Sequence, residues 1–230
     1  MKTIGLIGGT TWLSTVDYYQ LINQKVNEKL GVDSSALILM YSLDFSVMKK
    51  LADEGKWNDM AEIVAKKAKM LESAGADCVL LCANTMHIVA GDVRKSINIP
   101  LIHIAEETTL QIEKHGIKKV GLLGTRFTME SDFFKNLLLS QGVETIIPGK
   151  EDRDFIHETI FSELGKNIFK AETKKRYLEI IDKLSGEGAT GIILGCTEIP
   201  LIIKEGDCRI QLFNTTLIHV NAAVEFALSD

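Results

Sequence analysis

Two of the four cysteines in this 230-residue chain follow an aliphatic run and precede hydroxyl or amide side chains. Cys82 lies in "VLLCANTMH" (79–87) and Cys196 in "IILGCTE" (192–198). A thiol with an ordinary pKa of about 8.5 can give or take a proton near neutrality after modest tuning. Two thiols on opposite faces of one carbon, one ionised and one protonated, suit inversion of a stereocentre. One removes the α-proton and the other returns a proton to the far side. The roles are then exchanged, so both directions run at one site. A helix opening just after each cysteine is expected to offer free N–H groups and a positive end, which favour a thiolate. The same donors, with the Asn84 amide and the Thr85 and Thr197 hydroxyls, suit an α-carboxylate. Glu198 is placed to modulate a thiol, to hold an ammonium group, or to be an ordinary first-turn acid.

The elements that must position these groups follow from hydrophobic patterning. Strands are expected at 3–9, 35–42, 77–83, 100–105, 119–125, 144–149, 190–196 and 209–215. Helix-like stretches lie between them, among them 16–30, 58–73, 131–140 and 172–184. Continuous aliphatic strands alternating with helices predict an α/β fold with mostly parallel sheets covered on both faces. The two halves also resemble each other. "GLIGGT" at Gly5 matches "GLLGT" at Gly121, and "LESAGADCVLLCANT" matches "LSGEGATGIILGCTE", which sets Cys82 against Cys196. This self-similarity predicts two α/β lobes of one design, pseudo-two-fold related, with the site in the cleft between them. The first lobe is expected to hold residues 1–98 plus a C-terminal segment of about 210–230, and the second about 99–209. Ligands bind beyond the carboxyl ends of strands in open α/β sheets. Gly8, Gly9 and Thr10 are therefore expected beside the site from the first lobe, and Gly124, Thr125 and Thr128 from the second.

Bulk properties narrow the class. The net charge of −5 and the lack of a basic stripe with interleaved aromatics argue against a nucleic-acid binder. The opening "MKTIGLIGGTTW" does not read as a signal peptide, and no apolar run approaches the ~18 residues of a membrane span. Cysteines without a secretory signal suggest free thiols in a reducing, cytoplasmic compartment. No zinc spacing, phosphate-binding loop or dinucleotide fingerprint is found, and a structural metal site is not expected. Cys78, two steps of a strand pair before Cys82, reads as core. Cys208 has no partner motif. His87 reads as a thiol-tuning group or a structural histidine.

Taken together, "GLIGGTTW", "LCANTMH", "LLGTRFTM" and "GCTEI" resemble the cofactor-independent aspartate/glutamate racemase family, and within it the aspartate racemase branch, over essentially the whole chain. The resemblance implies an amino-acid substrate, no pyridoxal phosphate, no metal and a homodimer. It implies that Cys82 and Cys196 are the acid/base pair. Asn84, Thr85, Thr125 and Thr197 would hold the charged groups of the substrate, with Thr10 nearby. Lys166 in "ELGKNIF" stands where aspartate racemases carry a lysine that reaches the substrate. Two departures bear on specificity. Met48 or its neighbours stand where some relatives carry an arginine, and Glu198 replaces the histidine of glutamate racemases. Aspartate is the first expectation and a broad range of amino acids the second. A thiol decarboxylase or isomerase of the same superfamily and a non-catalytic amino-acid binding module stay open.

Overall fold

The computed structural model describes residues 1–31 and 33–229. The chain divides into two lobes. One comprises Met1–Ile104 with the C-terminal segment from Thr216, and the other Ala105–Thr215. Each is built on its own parallel sheet, as the patterning predicts.

The first lobe runs β1 (Ile4–Gly8), α1 (Trp12–Leu30), β2 (Ile38–Ser42), α2 (Phe45–Asp53), α3 (Trp57–Ser73) and β3 (Cys78–Leu81). A 3₁₀ turn (Asn84–Val89) and α4 (Ala90–Ser96) follow, and α5 (Ile104–Lys114) leads into the second lobe. There the order is β4 (Lys119–Gly124), α6 (Arg126–Glu130), α7 (Asp132–Ser140), β5 (Glu144–Ile146) and α8 (Lys150–Ser162). A second 3₁₀ turn (Leu164–Lys166), α9 (Ala171–Gly186), β6 (Gly191–Gly195), α10 (Ile199–Ile202) and β7 (Gln211–Asn214) complete it, and α11 (Thr215–Leu228) returns to the first lobe.

The first sheet has the order β2-β1-β3 and the second β5-β4-β6-β7. In both, the strand that opens the lobe lies between its second and third strands. Cys82 and Cys196 each stand just past the third of these, β3 and β6.

Side-chain alternation decides which face each residue covers. Ile4, Leu6, Cys78, Leu80 and Cys82 share one core with Tyr18, Ile22 and Val26 of α1 and Val220, Ala223, Val224 and Ala227 of α11. The α1 residues are spaced four apart, so they form one stripe along the helix. Gly5 points the other way, because a Cβ there would lie 3.4 Å from the Leu71 side chain of α3. The sheet is therefore covered on both faces, which is why its strands read as unbroken apolar runs. Full burial of each such Leu or Ile contributes about 1.5–3 kcal/mol. The even step from Cys78 to Cys82 puts both thiols on the α1 and α11 face, and Cys78 is completely buried.

Two sequence expectations are corrected. "PLIHIA" forms no strand. Only a bridge between Val79 and Leu101 is present, made by Val79 N–H to Pro100 O (2.9 Å) and Ile102 N–H to Val79 O (3.0 Å). Pro100 has no N–H to extend the ladder, and Ile104 already opens α5. The segment still sits beside β3 as β7 sits beside β6. Second, the stretch after Cys82 is a 3₁₀ turn rather than an α-helix, and α10 after Cys196 is four residues long. Neither provides the aligned turns that build a substantial helix dipole. Among the described residues, no helix is long and apolar enough to cross a membrane.

Candidate active site

In the first lobe the backbone around Cys82 is held on several sides. Its N–H donates to Ile7 O of β1 at 2.9 Å, and its carbonyl lies 3.1 Å from the Ser14 hydroxyl of α1. The Ala83 carbonyl accepts from His87 Nδ1 at 3.1 Å. The loop after β1 is equally constrained. Gly9 has φ +89°, and a Cβ on it would lie 2.1 Å from Leu43 O, so only glycine fits. Its N–H donates to Thr15 Oγ1 at 2.8 Å. Thr10 Oγ1 is buried without a hydrogen-bond partner, which suits a group waiting for a polar ligand. Asn84 is buried and Thr85 half-buried. Met48 is buried, whereas Trp12 is largely exposed.

In the second lobe Cys196 is buried and its Sγ donates to Glu198 Oε2 at 2.9 Å. The Thr197 hydroxyl donates to the same oxygen at 2.7 Å. Thr125 caps α6, its Oγ1 accepting from Thr128 N–H at 3.3 Å. Thr128 has no exposed surface, and its hydroxyl lies 3.2 Å from that of Thr125, so it braces Thr125 from behind. Its methyl group packs where Gly195 lacks a Cβ. Lys166 is exposed at the end of the second 3₁₀ turn, which packs against α10. That contact brings the lysine's turn to the helix just beyond Cys196–Glu198.

The electrostatics differ from the expected lowering of both thiols. Burial pushes the Cys82 thiol well up. Cys196 is also raised, first by burial, then by the Glu198 charge and by its hydrogen bond to Glu198. The backbone N–H groups of Glu198 and Thr197 pull the other way, as a helix start should, but are outweighed.

Sequence reasoning missed the layer behind Cys82. Tyr18, His103 and His219 are buried there with His87. Tyr18 and His219 stand 201 residues apart, so no local spacing announces them. Among the described residues, no group of three or more His, Cys, Asp or Glu is arranged to hold a metal ion.

A family model described as Asp/Glu/hydantoin racemase matches residues 7–223. A solved structure of a Yersinia pestis protein provisionally designated an Asp/Glu racemase is 43% identical, with a TM-score of 0.93 and both chains fully covered. An aspartate racemase homologue from Pyrococcus horikoshii OT3 is 36% identical, with a TM-score of 0.87 over all of both chains. A broad specificity amino-acid racemase of Bacillus subtilis is 23% identical over 172 residues, covering 75% of this chain and 74% of that one.

Proposed function

The chain belongs to the Asp/Glu/hydantoin racemase family, and we propose that it is a cofactor-independent amino-acid racemase acting first on aspartate. The observation that carries this reading is the recurrence of a buried cysteine just past the third strand of each of two lobes with like strand order.

In the proposed reaction one thiolate takes the α-hydrogen of the amino acid as a proton. The carbanion is reprotonated on its other face by the S–H of the other cysteine. Cys82 and Cys196 are this pair. Thr10, Asn84, Thr85, Thr125 and Thr197 hold the charged groups of the substrate, braced by Thr128. Stabilising the charge that develops on the α-carboxylate is the main lever on the barrier. The substrate ammonium favours a nearby thiolate and so offsets burial. Glu198 keeps Cys196 protonated at rest, so Cys82 is the thiol that ionises first. The resting enzyme accordingly acts first on the enantiomer whose α-hydrogen faces Cys82. Lys166 binds the side-chain carboxylate.

The test is incubation of L-aspartate in deuterium oxide without added cofactor. Deuterium at the α-carbon and appearance of D-aspartate are expected. No exchange with any amino acid of a broad panel overturns the reading. A second reading, a broad-specificity racemase, is favoured by apolar, buried Met48 and by the B. subtilis relative named for that activity. Comparable kcat/KM for aspartate and for uncharged amino acids in the same panel would establish it. A homodimer is proposed with either reading, and light scattering on the eluting protein tests it.

A further inference from the structure

The reaction above leaves the histidines behind Cys82 without a role. His87 lies five residues after Cys82, on the 3₁₀ turn. Its Nδ1 is 3.1 Å from the Ala83 carbonyl oxygen, and its Nε2 is 3.2 Å from the Ile104 nitrogen. A carbonyl only accepts, so Nδ1 carries the hydrogen. A backbone amide only donates, so Nε2 offers its lone pair. His87 is thus a single neutral tautomer with both nitrogens committed. Ile104 opens α5, and its N–H has no acceptor within that helix; the imidazole supplies one.

His219 is the opposite tautomer. Its Nε2 donates to Ile102 O at 2.8 Å, and its Nδ1 faces the Tyr18 hydroxyl at 2.7 Å. The His87 ring meets those of His103 and His219 edge-on, at centroid distances of 4.6 and 5.5 Å. Burial, helped by the neighbouring histidines, holds His87 well below the ordinary histidine range. His87 is therefore no proton relay near neutrality, because accepting a proton at Nε2 would cost it the Ile104 bond.

The role left is geometric. The Cys82 amide is pinned to β1, the Cys82 carbonyl to α1, and the Ala83 carbonyl to His87. In a planar trans peptide the N–H points opposite to the C=O. Holding Ala83 O against the imidazole therefore turns the Asn84 N–H away from it. We propose that His87 is a positioning residue for Cys82: the Ile104 amide fixes its tautomer, and its Nδ1–H holds the Ala83 carbonyl and so sets how the thiol and the Asn84–Thr85 turn are presented. The consequence for catalysis rests on Cys82 acting as an acid/base.

The test compares His87→Asn, His87→Gln and His87→Phe. Asparagine reaches about as far as Nδ1 and can keep the bond to Ala83; glutamine reaches the Nε2 position and can keep the bond to Ile104. Two readouts are used: racemisation kinetics, and the rate of iodoacetamide labelling at Cys82, read peptide by peptide by mass spectrometry. We expect H87N to stay near the wild type in both. H87Q and H87F should lose about tenfold or more in kcat, with KM changed less, and should label Cys82 at an altered rate. Equal effects of H87N and H87Q, or wild-type values in all three, overturn the proposal. If H87F does not fold, the Asn and Gln pair decides. If the wild type racemises nothing, the functional reading fails while the labelling comparison still decides the positioning role.

Discussion

Cys82 and Cys196 occupy equivalent places in two lobes of one topology, yet their surroundings are opposed. Cys82 lies in a neutral setting, with Tyr18 and uncharged imidazoles behind it. Cys196 donates to a buried carboxylate that also takes the Thr197 hydroxyl. A repeat of backbone has not produced a repeat of electrostatics. In the proposed two-base reaction the two thiols must differ in protonation at the moment of reaction, and such a pair gains from being built differently, because a symmetric pair would leave the choice to chance. The strand ends supply position, and the neighbouring side chains supply inequivalence.

The most severe way to break this comparison is to remove one thiol at a time. Cys82→Ser and Cys196→Ser should each lower racemisation by about 10³-fold or more, within the span of general acid–base contributions. Each should still exchange the α-hydrogen of one enantiomer without inverting it, and the two variants should favour opposite enantiomers. Deuterium incorporation into L- and D-aspartate, measured separately, checks this. Full racemisation in either variant would rule out a two-base reaction.

Acid should next act on the first lobe, which holds His87 and His219. Burial holds His219 down at about 4 in the folded chain, whereas in the unfolded chain it titrates near 6.5. Between those values the unfolded chain binds a proton that the folded chain does not. Stability is therefore complete above about pH 6.5, declines as the pH falls toward 4, and levels off below. His219 alone accounts for about 3 kcal/mol of that decline, and His87 acts in the same direction. Urea unfolding at pH 7.5 and pH 4.5 measures the total. Hydrogen exchange should show protection lost first in α11 and the Asn84–Val89 turn.

Glu198→Gln makes the surroundings of the two cysteines alike. Removing the carboxylate charge should lower the Cys196 pKa, seen as thiolate absorbance appearing at lower pH than in the wild type. Turnover should fall by roughly 10- to 100-fold, the worth of one charge-assisted hydrogen bond. An unchanged thiolate titration would show that Glu198 does not set the inequivalence. The smallest effect is expected from Lys166→Met, because the lysine is exposed. The preference for aspartate over an uncharged amino acid should drop about fivefold in kcat/KM. No change would favour the broad-specificity reading.

Much of this was legible in the chain itself. The apolar runs predicted seven of the strands, because strands buried on both faces have no polar side to interrupt them. The eighth run, "PLIHIA", misled because apolar content alone does not supply ladder partners. The two cysteines stood out because each ends such a run at a matching place. The helix starts were over-read. Polar residues after a cysteine mark a turn, but how many turns follow depends on packing, and here the outcome was a 3₁₀ segment and a four-residue helix.

The sequence by itself determined the α/β class, the duplication and the candidate thiols, since periodicity and repeats are properties of the linear order. Tertiary structure alone decided which groups stand behind each thiol. Tyr18 meets His219 across 201 positions, and His87 reaches the Ile104 amide across 17. Burial then moves both thiols up and these imidazoles down. A pKa depends on desolvation and on charges within a few ångströms, and neither exists until the chain has closed around the site.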